Sequence, residues 1–247
     1  MCASAQGWIA VSRELAEDIS AGTGVSIPKR LCVSHNPVDL AELAPPKFAR
    51  EQTGTEFRIL YTGSVWPMHV DALELTALAV SLLRKNGVRI RLDVATRPRC
   101  WNDYKARLEP LEVRYLGFLD SVACSDELRR GDLLLVAVSF EDWLKPYARA
   151  SFQTKMTDYM SAGRPILCCG PEVSICGNFL ERNHCGYFWK SADPVGLSTF
   201  LNQIMADRSG SEERARTGRA LLERDFSMEK MRGELYEFLA GARCPVF

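Results

Sequence analysis

Several familiar signatures are missing from this 247-residue chain. It contains neither a GxGxxG fingerprint nor a GxxxxGK[ST] loop, which disfavours a nicotinamide cofactor or a P-loop nucleotide. No CxxC, HExxH or DxD occurs, and His35, His69 and His184 stand far apart, so no protein-held metal is expected. Neither sign of charge is in excess: 31 Lys and Arg meet 31 Asp and Glu. Nothing in that balance draws the chain to nucleic acid or to an acidic membrane surface, so any anion site must be local. No stretch approaches the roughly 18 apolar residues that would span a bilayer, and Met1–Gly7 has no basic or apolar leader pattern. The expectation is a cytoplasmic chain without a transmembrane segment. The cysteines Cys2, Cys32, Cys100, Cys124, Cys168, Cys169, Cys176, Cys185 and Cys244 lack paired spacing and several sit in apolar runs, so reduced, mostly buried thiols are expected.

What is present is alternation. Short apolar and β-branched runs recur at Trp8–Ser12, Arg30–Ser34, Phe57–Gly63, Ile90–Thr96, Val113–Leu116, Leu133–Ser139, Pro165–Cys169 and Cys185–Phe188. Amphipathic stretches lie between them, at Glu14–Ala21, Val70–Asn86, Trp101–Glu109, Ser125–Arg130, Lys155–Ala162, Val173–Arg182 and Val195–Ala206. This is the pattern of an α/β fold, a parallel sheet with helices packed on both faces. Pro37–Thr55, with Pro45-Pro46, interrupts the alternation and reads as a linker. Residues 1–40 then supply a partial β-α-β segment, too little to bury a core alone. After Asp207 two helices are expected, Glu212–Arg224 and Met228–Leu239, each capped by a preceding serine, with Gly241 as a stop. Met228, Met231, Leu235 and Phe238 form an apolar stripe that must leave water, against Trp8, Ile9, Leu31 and Val33 of the N-terminal segment or in a homodimer.

In an open parallel sheet ligands bind outside the carboxyl ends of the strands, where helices start. Two junctions carry suitable residues. Gly63 follows a strand and lets the backbone approach a bulky anion, with the Ser64 hydroxyl beside it. An ordinary turn glycine is the plainer reading. At the second junction Thr154 is a candidate N-cap, Lys155 brings a cation to a helix start, and Asp158 follows on the same face. A lysine for phosphate one turn from an acidic acceptor for sugar hydroxyls suits a nucleotide, whereas an i, i+3 ion pair is the alternative at this spacing.

The run Thr154-Lys155-Met156-Thr157-Asp158-Tyr159-Met160-Ser161-Ala162-Gly163-Arg164-Pro165-Ile166-Leu167 resembles the pattern SKLxEYLAAGKPIL of family-4 glycosyltransferases. Further pieces fall in the same order: Val11-Ser12 before Leu15-Ala16, His35-Asn36-Pro37-Val38-Asp39-Leu40 resembling PNGVDL, Tyr115-Leu116-Gly117-Phe118, and Phe226-Ser227-Met228-Glu229-Lys230-Met231 resembling FSWEKxA. The resemblance runs from Ile9 to Leu239. It implies the GT-B architecture, with residues 1–40 the remnant of an acceptor domain, 41–55 a linker, 56–207 a Rossmann-like donor-binding domain and 208–247 helices crossing back. It also implies a nucleotide-diphosphate sugar as donor, no cofactor or required metal, and transfer with retention of configuration to an acceptor held by a domain or subunit outside this chain.

By position the resemblance places Asp158 where the family has a ribose-binding glutamate, Lys155 near the phosphates and Gly63 in the GRLxxxKG loop. The chain departs from the family at Ser64, in place of the loop arginine, at Trp66-Pro67-Met68-His69, which lacks a lysine, and at Ala150, in place of an acidic residue. Glu141 and Asp142 are shifted substitutes for that acid. Arg97, Arg99, Lys145 and Arg149, at or after strand ends, are candidates to return positive charge to the cleft. Two rivals remain: a non-catalytic nucleotide-binding or protein-interaction module that keeps the fold, and another Rossmann-like enzyme such as a sugar-nucleotide epimerase.

Overall fold

The structure, a computed structural model, describes residues 5–48 and 56–241. Cys2, Cys244 and the part of the expected linker at 49–55 lie outside the described residues. The elements in chain order are β1 (Trp8–Ala10), α1 (Arg13–Thr23), β2 (Leu31–Val33), β3 (Phe57–Thr62), α2 (Pro67–Lys85), β4 (Ile90–Ala95), α3 (Pro98–Leu108), β5 (Arg114–Gly117) and α4 (Ser121–Arg130). They continue with β6 (Leu133–Ala137), α5 (Lys145–Ala150), α6 (Lys155–Ala162), β7 (Ile166–Cys169), α7 (Ile175–Arg182), β8 (Tyr187–Trp189), α8 (Pro194–Ala206), α9 (Arg208–Asp225) and α10 (Met228–Leu239).

Central strands buried on both faces need apolar residues at both parities, and these have them. Phe57, Ile59 and Tyr61 of β3, Leu133, Leu135 and Ala137 of β6, and Leu167 and Cys169 of β7 join a core with α2 and α8. Their alternates, Leu60, Leu134, Val136, Ile166 and Cys168, join a second core with α6, α7 and α9. The six strands are parallel in the order β5-β4-β3-β6-β7-β8. The chain therefore builds outward from β3 in one direction and returns to build in the other, leaving a topological switch point between β3 and β6.

β1 and β2 pair in parallel, Trp8 opposite Leu31, as a separate two-stranded sheet. This unit is fastened to the larger body at both ends. Ser12 caps α1 by accepting from the Leu15 amide, and its hydroxyl donates to the Ala150 carbonyl at 2.7 Å. Arg149 of α5 binds Asp18 of α1. On the other side the Val38 amide donates to the Phe226 carbonyl at 2.9 Å, and the Met228 amide to the Val38 carbonyl at 2.8 Å. Met231 and Phe238 of α10 are buried, with Arg30 stacked 4.7 Å over the Phe238 ring. The apolar stripe is thus covered within the chain, although Met228 and Leu235 are only half-buried.

Two local expectations need correction. The helix expected from Glu212 starts at Arg208, capped by Asp207, and Ser211 instead bonds the Tyr187 hydroxyl at 2.8 Å inside α9. Ser227 does cap α10, through the Lys230 amide. Thr154 has helical backbone angles and makes no side-chain cap, so its hydroxyl does not close the start of α6. A helix that the sequence pattern did not indicate, α5, follows β6, with Pro146 in its first turn. Among the described residues seven cysteines are free and five of them buried.

Candidate active site

A cleft of about 590 Å³ opens over the carboxyl ends of β3 and β4, against the start of α6. Each wall is fixed by a specific bond. The Tyr159 hydroxyl of α6 accepts from the Thr62 amide at 2.9 Å, tying the helix to the last residue of β3. The Gln153 side chain donates to the Ala137 carbonyl at 3.1 Å, tying the approach to α6 onto the end of β6. Gly63 then turns the chain with φ +117, a left-handed value that side chains avoid. Glycine serves space as well: a Cβ there would lie 3.3 Å from the Lys155 ammonium.

Lys155 is the unusual group. Its ammonium sits 3.7 Å over the Tyr61 ring and is buried without a hydrogen-bond partner among the described residues. Burial lowers its pKa to about 7, against smaller raising effects from Cys176 and Asp158. A buried cation resting only on an aromatic face is poorly compensated, and an arriving anion would relieve that cost. Asp158 lines the same cleft, and burial raises its pKa while Lys155 opposes the rise. The two make no ion pair among the described residues, so the i, i+3 bridge is not how they are used. His69 is also buried in this wall, and burial first, then Lys155, lower its pKa to about 3, which leaves the imidazole neutral.

Thr154, Gly63, Ser64 and Arg97 line the cleft together with Lys155 and Asp158. The remaining candidates lie elsewhere. Arg149 is tied to Asp18, Asp142 is exposed and paired with Lys145 at 2.6 Å, Glu141 is exposed, and Arg99 is exposed beyond the lining. Nor are all the first amides of α6 free, because those of Met156 and Thr157 donate to the Gln153 and Thr154 carbonyls. The cleft's charge therefore comes from Lys155, Asp158 and the exposed Arg97, which stacks 5.7 Å from the Phe118 ring. Tyr61, Tyr159 and Gln153 were not legible as site residues. Tyr61 reads as one more apolar strand position, and only the fold puts its ring beneath Lys155. Among the described residues no three His, Cys, Asp or Glu side chains cluster as metal ligands.

A doubly wound parallel sheet, with a cleft at its switch point lined by Lys155, Arg97 and Asp158, defines a Rossmann-like protein of the GT-B kind. Residues 56–207 match the family described as glycosyl transferases group 1, and the chain belongs to that family. No curated protein sequence matches it. Solved structures that share its fold include HepE of Anabaena in complex with UDP and glucose, at TM-score 0.71 and 17% identity over 96% of this chain and 63% of that one. A glycosyltransferase from Rickettsia africae matches at TM-score 0.72 and 13% identity, over 96% of this chain and 64% of its own. Sucrose-phosphate synthase from Thermosynechococcus elongatus matches at TM-score 0.70 and 17% identity, over 96% and 59%. The chain thus spans less than two thirds of the length of each of these proteins.

Proposed function

We propose that this chain is the donor-binding half of a retaining glycosyltransferase and binds a nucleotide-diphosphate sugar in the cleft between β3 and α6. The observation that carries the reading is the buried, unpartnered Lys155 ammonium at the start of α6, one turn from Asp158, at the switch point of the sheet. Lys155 would swing from the Tyr61 ring to the diphosphate, and Asp158 would accept from the ribose hydroxyls. Arg97 stands at the rim for a further phosphate or sugar contact.

In the proposed reaction the anomeric C–O bond of the donor breaks and its electron pair leaves on the diphosphate, which Lys155 stabilises. A phosphate oxygen of the leaving group takes the acceptor's proton on the face where the new C–O bond forms, so configuration is retained. No cofactor or metal enters this reading, and the acceptor is held by a domain or subunit other than this chain. The domain division proposed with it is 1–40 as acceptor-domain remnant, 41–55 linker, 56–207 donor domain and 208–247 closing helices, in a cytoplasmic protein.

Calorimetry with UDP and GDP tests the reading. One equivalent of either is expected to bind, and Lys155→Met to abolish the binding. Silence toward both would overturn it. A second reading, a nucleotide-binding module without transfer, is favoured by the lining itself, where Ser64 and a neutral His69 leave the phosphate end with few permanent cations. Slow hydrolysis of a UDP-sugar by the chain separates the two, since a module would bind and not hydrolyse.

A further inference from the structure

α5 ends at Ala150 and α6 begins at Lys155, and the residues between them, Ser151, Phe152, Gln153 and Thr154, all line the cleft. This elbow is held from two sides. The six-stranded unit supplies Cys176, whose sulfur accepts from the Gln153 amide at 3.3 Å, and the Ala137 carbonyl, which accepts from the Gln153 side chain at 3.1 Å. The N-terminal β-α-β unit supplies three further contacts from far earlier in the chain. Ser12 donates to the Ala150 carbonyl at 2.7 Å across 138 positions, Asp18 accepts from Arg149 Nε at 3.2 Å across 131, and the His35 ring packs 4.7 Å from Phe152.

Ser12 is the principal anchor of the three. Its hydroxyl also accepts from the Leu15 amide at 3.0 Å, so the oxygen that starts α1 satisfies the last carbonyl of α5, one of those a helix leaves without an internal partner. Capping needs only an acceptor. A hydroxyl supplies a donor through the same atom, and alanine supplies neither. Ser12 is 1% exposed and Ala150 is buried beside it, so losing the bond strands a carbonyl away from water. Arg149 and Asp18 are 41% and 34% exposed, where an ion pair contributes little, and they orient the junction more than they hold it.

The span from Ala150 to Lys155 is too short to absorb a shift of α5, so the placement of Ala150 sets where α6 starts and where the Gln153 and Lys155 side chains meet the cleft. We propose that Ser12 is a positioning residue for the cleft: with Asp18 and His35 it holds the 149–153 elbow in place from the N-terminal unit. That placement is independent of what the cleft binds. Its effect on affinity rests on the reading of the cleft as a nucleotide site.

Two measurements on the whole chain test this, hydrogen exchange of the amides of residues 151–157 and calorimetry with UDP and GDP. Ser12→Ala is expected to speed exchange of those amides about tenfold and to weaken the bound nucleotide several-fold. Gly24→Ala strains the same helix at its other end, where Gly24 caps α1 with φ +69, and is expected to lower the melting temperature while leaving both readouts at wild-type values. If Ser12→Ala fails to fold, Asp18→Ala and Arg149→Ala serve. Each should speed the exchange by less, and the double variant no more than either alone, because both remove one contact. A wild-type chain silent toward both nucleotides overturns the nucleotide reading, and the exchange measurement still decides this one. The positioning role is overturned if Ser12→Ala leaves exchange at 151–157 unchanged or speeds it while a nucleotide binds as tightly as before. It is equally overturned if Gly24→Ala disturbs both readouts as much, or if the Asp18 and Arg149 effects add.

Discussion

Lys155 and Asp158 illustrate how two residues one turn apart acquire different duties from one environment. Both are pushed toward neutrality by burial, and the ammonium rests on Tyr61 rather than on the carboxylate. Asp158→Ala should weaken UDP or GDP binding by about 1.5–3 kcal/mol, the scale of a hydrogen bond to a charged group. Calorimetry measures this, and unchanged affinity would remove Asp158 from the site. The lysine also leaves a mark on stability. Its folded pKa of about 7 lies below the ordinary 10.5, so between those values the unfolded chain binds more protons and stability rises with pH. Below pH 7 the cost of burying the charge is fully present. Lys155→Met should therefore raise the midpoint of urea unfolding without ligand, by more at pH 6 than at pH 9. An equal gain at both values would show that the ammonium is not buried in solution.

At the scale of elements, α6 is held in place by its two ends. Its start is fixed through Gln153 and Tyr159, and its stop is Gly163, a left-handed C-cap with φ +69. A Cβ at Gly163 would lie 2.6 Å from the Cβ of Pro46, so the stop also fixes how the segment after β2 crosses the unit of the six-stranded sheet. Gly163→Ala should cost at least about 1–2 kcal/mol from backbone strain alone. Gly22→Ala, inside α1 with open space around it, should instead be neutral or gain up to about 1 kcal/mol. Denaturant midpoints of the pair check this, and a mild Gly163 variant would mean that the turn can be rebuilt.

For the whole molecule, the relation between the two ends is the main structural consequence. α10 buries Met231 and carries Phe238 against Gly7 and Arg30 of the N-terminal unit, and Val38 bonds both Phe226 and Met228 across the junction. Removing residues 1–40 would expose that stripe, each side chain of which is worth about 1.5–3 kcal/mol when fully buried. The truncated chain is expected to self-associate in light scattering and to melt at a lower temperature. A monomeric, equally stable product would mean that the contact contributes nothing. On the proposed reading, in which the acceptor is held by another domain or subunit, the purified protein is also expected to hydrolyse a UDP-sugar slowly and to transfer no sugar to an added acceptor. Rapid turnover on an acceptor would show that the chain already contains both halves of the machinery.

Much of this molecule was legible in one dimension because the forces that build its elements are local. Leucine and valine runs such as Leu133–Ala137 are too apolar to lie anywhere but in a sheet covered on both faces, and Lys155–Ala162, ended by Gly163, carries its own helix stop. Lys155 and Asp158 were legible as a pair for the same reason, since helical spacing alone puts them one turn apart. The side-chain environments were decided only in three dimensions. That Lys155 lies on Tyr61 under Gly63, that Thr154 does not cap, and that Arg149 is drawn away by Asp18 depend on residues as far as 131 positions apart in the chain. Spacing along a sequence fixes which residues can share a face, whereas burial and the choice of partner come from strands and helices that meet only when the sheet has closed.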